Sequence, residues 1–245
     1  MADRKPLTSL GSMILRCTMT ILLLPSIVAE ARASTVFSDA DFLQTDWTAT
    51  AFVDELGDFT FTASQDLAGG NPGALRRFTH TASVGPGNVF LAHFNVGATY
   101  DPSVTGAISS LGFAMDANVF DGGSSGGIAF FVMVRQSGTI YIGPNTTVIP
   151  SAGWHSINSP ELVAADFVEF GSAATPDFSE SGSEIELGFA SGNGTSSSGG
   201  VSSSGGVDNW AVTIHSIPPL PSMSWLGLAL LGGLISLAGW GRLRI

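Results

Sequence analysis

Four stretches of this chain alternate apolar and polar side chains with a period of two, a rhythm that admits little except β-strands. Phe59, Phe61 and Ala63 alternate with Asp58, Thr60 and Thr62, and Phe90, Ala92, Phe94 and Val96 with Leu91, His93 and Asn95. Ile185, Leu187 and Phe189 alternate with Glu184, Glu186 and Gly188, and Trp210, Val212 and Ile214 with Asn209, Ala211 and Thr213. Successive strand side chains point to opposite faces, so each stretch predicts a core face and an outer face. On this reading Phe90, Ala92 and Phe94 face the core, and His93 faces away. Residues 128–134, IAFFVMV, are apolar throughout and predict a central strand covered on both sides. DGGSSGG at 121–127 reads as a turn, and PELVAADF at 160–167 as one short helical turn. Many short strands between Gly, Pro, Asn and Asp clusters predict an all-β fold over residues 34–216, a β-sandwich of jelly-roll type. The hexapeptide SSSGGV occurs twice, at 196–201 and 202–207, and predicts a flexible loop before a final strand that begins at Asp208.

Charge narrows the function. Residues 34–216 hold three basic residues (Arg76, Arg77 and Arg135) against eighteen acidic ones, a formal charge of −15, with no lysine. Such a domain repels nucleic acid and anionic lipid surfaces. The one cysteine, Cys17, lies outside this span, so the domain has no disulfide and no thiol chemistry.

The two ends read as targeting segments. Arg4 and Lys5 precede an apolar run at 17–29, and Ala31-Arg32-Ala33 supplies the small-x-small pattern of a signal-peptidase site. Residues 1–33 are therefore expected to be a signal peptide cut before Ser34. At the other end, 223–241 carries no charge and is long enough to cross a bilayer as a helix. Trp225 and Trp240 lie near its two ends, and Arg242 and Arg244 form a cytoplasmic stop. Ahead of it, Ile217, Pro218, Pro219, Leu220 and Pro221 stay extended, because proline fixes the backbone and donates no amide.

Proline-containing motif, apolar span and arginine terminus together resemble the PEP-CTERM class of bacterial sorting signals. The motif departs from the strict Pro-Glu-Pro form, having no glutamate, and is similar to variants that begin Ile-Pro. The resemblance implies that residues 217–245 form a sorting signal processed by an exosortase, with a membrane-anchored intermediate before release to the surface. GGNPGALRRF (69–78), PDFSESGSEIELGFASGN (176–193) and VDNWAVTI (207–214) resemble the jelly-roll domains of exported proteins of this class, which are similar to laminin-G-like and carbohydrate-binding modules. The expected function is that of an exported, non-catalytic surface or extracellular-matrix protein with a structural or adhesive role. The alternative is a carbohydrate-binding module for extracellular polysaccharide.

Candidate residues follow from these readings. Trp154, Tyr141 and Trp47 are the aromatic rings offered for stacking on a sugar, with core packing as the competing reading of each. The resemblance to carbohydrate-binding jelly rolls implies a structural Ca²⁺ between first and last strands, held by Asp39, Asp41 and Asp208. The competing reading is that Asp208 and Asn209 cap a turn. Glu184 and Glu186 alternate onto one face and pose a glycoside-hydrolase pair against a plain solvent-facing acidic strand. Gly122–Gly126 matches G-x-S-x-G but sits in a turn without the strand–turn–helix setting that a nucleophile needs. His80, His93, His155 and His215 share no metal-ligand spacing and are expected at the surface or rim.

Overall fold

The computed structural model describes residues 33–123, 126–150, 153–195 and 199–217. The expected all-β sandwich is what the chain forms, with twelve strands among the described residues. In chain order they are β1 (Ala33–Asp39), β2 (Trp47–Asp54), β3 (Thr60–Gly70), β4 (Gly73–Ala82), β5 (Gly87–Tyr100) and β6 (Ala107–Asp121). Then follow β7 (Ile128–Gln136), β8 (Thr139–Val148), β9 (His155–Leu162), β10 (Val168–Glu169), β11 (Ile185–Thr195) and β12 (Val201–Ile217). Helix among the described residues is limited to short turns, among them one at Pro102–Thr105, capped by Asp101, and a 3-10 turn at Ala164–Asp166, inside the stretch expected to turn.

Two antiparallel sheets result. The first runs β3-β4-β12-β6-β9, with β1 also on β12; the second runs β10-β8-β7-β11-β5-β2. Strand β12 organises the first sheet. Its beginning pairs with β4, its end pairs with β1, and β6 runs along its other edge. The register shifts between Asp208 and Ala211, and Asn209 takes a left-handed backbone there (φ 50°). The second SSSGGV copy is therefore not a loop. It lies within β12, where Gly206 lets the Leu75 side chain and the Phe120 ring close over the strand.

Ile185, Leu187, Phe189, Trp210, Val212 and Ile214 meet in the core between the sheets, as their alternation predicts, and Phe78 joins them. Trp47 and Trp210 pack edge to face at 5.2 Å, a contact worth about 1 kcal/mol beyond burial alone. A second apolar cluster (Val53, Phe90, Ala92, Phe94, Phe131, Met133 and Ala190) lies on the other side of the second sheet. This corrects the expected orientation of β5. Phe90, Ala92 and Phe94 point to the outer cluster, while Leu91 and His93 point inward. The apolar run 128–134 serves both clusters, as expected of a doubly covered strand.

The interior also carries a polar tie between sheets. His80 on β4 bonds Ser191 Oγ at 3.0 Å and Asn193 Oδ1 at 2.5 Å, both on β11, and Ser203 on β12 donates to Asn193 at 3.0 Å. His80 and His93 are fully buried, contrary to the surface or rim position expected of them. Arg76 is 1 % exposed and donates to Gln44 Oε1 at 2.9 Å.

Of the targeting residues, Ala33 and Ser34 begin β1, and Ile217 ends β12. Ala31, Pro218, Pro219, Leu220, Pro221, the span 223–241, Arg242 and Arg244 lie outside the described residues. Among the described residues no helix is long and apolar enough to cross a membrane.

Candidate functional site

Side chains along β6 that leave the core line the outer face of the first sheet. Gly112, Ala114, Asp116, Asn118 and Phe120 alternate with the buried Phe113, Met115, Ala117 and Val119. At one end the small residues leave a trough of about 230 Å³, lined by Gly112, Ala114 and Ala211, with Asn158, Pro160 and Thr213 at its sides. Cross-strand pairing fixes this arrangement: Ala114 faces Ala211 and Asn158, and Gly112 faces Thr213.

Next along β6 comes Asp116. Its Oδ1 accepts from Ser156 Oγ (2.5 Å), and its Oδ2 accepts from Asn209 Nδ2 (2.9 Å) and Asn71 Nδ2 (3.2 Å). Partial burial pushes its pKa up, but the hydrogen bonds from Ser156, Asn209 and Asn71 outweigh that and hold it below the ordinary aspartate value. Asp208 anchors the assembly from beneath. It is fully buried, accepts the Asn71 N–H, and takes the Asn209 N–H at 2.6 Å; Asn209 Nδ2 donates to the Asn71 carbonyl at 2.6 Å. The bulge in β12 thus clamps the β3–β4 turn onto the side of Asp116.

Beyond Asp116 the surface becomes aromatic. Trp154, half-buried just before β9, packs edge to face on Phe120 at 6.2 Å. The Arg77 guanidinium lies 4.6 Å from the Phe120 ring centre and 3.5 Å from Asp66. Gly112 to Phe120 spans eight strand steps, roughly 26 Å. The result is an elongated strip: a shallow trough, a set of carboxylate, amide and hydroxyl groups, then two aromatic rings. The side chains of Asn118 and Asn158 have no hydrogen-bond partner among the described residues. Such a strip offers stacking surface and directional hydrogen bonding together.

The predicted aromatic trio separates. Trp154 lies in the strip. Trp47 does not: it is 2 % exposed, packed among Phe42, Phe189 and Trp210, with its indole N–H on Asp39 at 2.7 Å. Tyr141 sits on β8 opposite Val134 and Glu169 and packs against the core cluster. Trp47 therefore has no ring face at the surface, and Tyr141 is half-buried on the second sheet, away from the strip.

The predicted Ca²⁺ set does not fit a metal. Asp39 is spent on its own loop, accepting from the amides of Asp41 and Phe42, the Trp47 indole and Asn95. Asp208 is committed to Asn71 and Asn209, and Asp41 contributes its amide and carbonyl rather than its carboxylate. Among the described residues no three His, Cys, Asp or Glu side chains are placed to share an ion. Asp208 and Asn209 instead cap a turn, the competing reading, and the turn is one more than a hundred residues away in sequence. A larger hollow of about 470 Å³ opens beside Asp39, Asp41 and Asp46; of its two aromatic residues, Trp210 is 1 % exposed and Phe37 is half-buried against the core cluster.

The acidic pair dissolves too. Glu186 is gripped by both ends of the Arg135 guanidinium, which itself lies 4.0 Å from the Phe94 ring centre, while Glu184 precedes β11 on an exposed loop. A carboxylate held in that fork is not free for acid–base work.

Sequence reasoning missed Asn71, Arg77, Asp116, Asn118 and Phe120. The signal was present in AMDANVFD (114–121), where polar and aromatic residues alternate with Met115, Ala117 and Val119.

No protein-family model matches the chain, and no curated protein matches it in sequence. Solved structures similar to it include a family 11 carbohydrate-binding module from Clostridium thermocellum in complex with a β-1,3-1,4-mixed-linked tetrasaccharide. That match is 13% identical over 72% of this chain and 94% of that one, with a TM-score of 0.43. Another is a xylan-binding module of family 22 from Paenibacillus barcinonensis, 11% identical over 77% of this chain and 99% of that one, with a TM-score of 0.40. Likenesses at this level carry no ligand over to this chain.

Proposed function

We propose that the domain is a non-catalytic carbohydrate-binding module whose site is the strip along β6. The observation that carries this reading is the Trp154–Phe120 pair set beside an ordered group of acceptors and amide donors around Asp116. A pyranose presents a C–H face to a ring and hydroxyls to carboxylates and amides, and this strip has both halves of that recognition in line. Its length suits a chain of sugars rather than a single residue.

The leader and the tail support an exported setting, with signal peptidase and an exosortase as processing partners and the cell surface or extracellular matrix as destination. There, glycan binding and an adhesive role are the same act.

Affinity electrophoresis of the 34–217 domain against a panel of soluble β-glucans, xylans and N-acetylglucosamine polymers tests the binding reading. Retardation by at least one polymer is expected, with Trp154→Ala and Phe120→Ala each weakening it about tenfold or more, while Trp47→Phe leaves it intact. Unretarded migration on every polymer, or no effect of Trp154→Ala, overturns the reading. The sorting reading is checked by mass spectrometry of secreted protein from a host with an active exosortase. An intact tail beyond Pro221 overturns it.

A further inference from the structure

Every arginine side chain of residues 34–216 is committed within the fold. Arg76 is 1 % exposed and turned onto Gln44. Arg77 is paired with Asp66 and spread over Phe120, and Arg135 is locked to Glu186. There is no lysine in this span. Of its histidines, His80 and His93 are buried, His215 sits 3.9 Å from Glu161, and His155 is exposed at the start of β9. The one guanidinium in the strip, that of Arg77, is thus already paired with a carboxylate. Asp116 lies in its middle as a carboxylate with three hydrogen bonds and its charge facing outward, in a domain of formal charge −15. An ionised carboxylate offers about four acceptor positions, so one is left for a ligand.

We infer that the strip selects glycans by charge: it excludes polysaccharides bearing carboxylate, sulfate or phosphate groups, and it prefers chains with free amines, bound at Asp116, over their N-acetylated counterparts. This deepens the carbohydrate-binding reading and rests on it. The field of the whole domain works in the same direction as the local carboxylate, raising the local concentration of polycations and depleting polyanions. An amine held near one exposed carboxylate gains about two- to fivefold in affinity at low salt. Both effects fade as salt shortens the screening distance.

The test compares oligomers of one linkage and length, β-1,4-linked glucosamine and its fully N-acetylated form, with a polyuronate as third arm. Calorimetry is run at low and high NaCl on the 34–217 domain, its Asp116→Asn variant and its Glu184→Gln variant, which removes one acidic charge outside the strip. The expected result is tighter binding of the free-amine oligomer, a preference that shrinks with salt and with Asp116→Asn. Polyuronate is expected not to bind in any arm, and Glu184→Gln to leave the preference in place. Equal affinity for the two glucosamine oligomers in the wild-type domain, or binding of polyuronate, overturns the charge selection even if neutral glycans bind. Binding of no glycan at all, neutral panel included, overturns this inference together with the reading it rests on. The salt dependence is measured on the wild-type domain, so the outcome stands even if Asp116→Asn loosens the Asn71 turn.

Discussion

His93 stacks on Phe189 at 4.4 Å and packs tilted against Phe78 at 5.1 Å, and among the described residues neither of its ring nitrogens has a hydrogen-bond partner. Burial holds its pKa well below the ordinary histidine value, and the nearby charges of Arg76 and His80 push the same way. His80 is lowered to about 4, again by burial, with the Asn193 hydrogen bond opposing. Both rings are therefore neutral when folded and charge only on unfolding. The sign follows directly: between about pH 4 and 6.5 the unfolded chain binds more protons, so stability rises with pH. The contribution is complete above about pH 6.5 and lost as pH falls, on the order of 3 kcal/mol for His80 alone. Thermal melts from pH 7 to pH 4.5 should show a falling Tm. His93→Phe should raise Tm and flatten the profile, because it keeps the stack and removes two unpaired polar atoms. His80→Phe should lower Tm by breaking the tie to Ser191 and Asn193. The alternation around residue 93 was legible in the sequence; its direction was not, because both faces of β5 are apolar enough to be core. Trp47 was similarly ambiguous, since only the fold supplies Asp39 as a partner for its indole. The loop position of Trp154 was legible, because the glycine before it and the polar residues after it mark one.

Strands β11 and β12 are each crossed by glycines that decide how closely the layers approach. A side chain at Gly188 would run into the His93 carbonyl oxygen, a backbone atom that cannot move aside without breaking the β5–β11 ladder. Gly188→Ala should cost about 1–3 kcal/mol in urea unfolding. A side chain at Gly206 would meet only the movable ends of Leu75 and Phe120. Gly206→Ala should therefore unfold near the wild-type midpoint yet displace Phe120 and weaken glycan retardation, separating a binding role from a structural one. These glycines also explain why the repeated SSSGGV reads as a linker. Composition records flexibility, whereas the ladder to β4 and β6 supplies order that no local window contains. The final strand was placed correctly from Trp210 onward, where large side chains carry the alternation. The bulge at Asp208–Asn209 was invisible because its partner is the turn at Asn71, brought there only by the sheet. Asp208→Ala removes the buried acceptor of that turn and should destabilise by about 1–3 kcal/mol.

The first and last strands of the sandwich pair with each other, Ala33 opposite Ser216 and Asp39 opposite Trp210. The ladder to β6 ends at Ile217 opposite Ala107. A chain spanning 34–217 should accordingly give one cooperative thermal transition. A chain ending at Val207 should not, because it loses every partner of β1 and two thirds of the β12 residues that pair with β6. Class and approximate strand content of this domain were legible from alternation and turn residues alone. Which outer face carries the site was not, since it depends on where β9 and the β3–β4 turn come to rest. The direction of β12 has a further bearing on how such a domain meets its ligand. The trough at Gly112 and Thr213 lies toward the Ile217 end of the strand, and Phe120 and Trp154 lie toward the other. A fusion partner placed after Ile217 should therefore crowd the trough end of the strip and spare the end that carries Trp154.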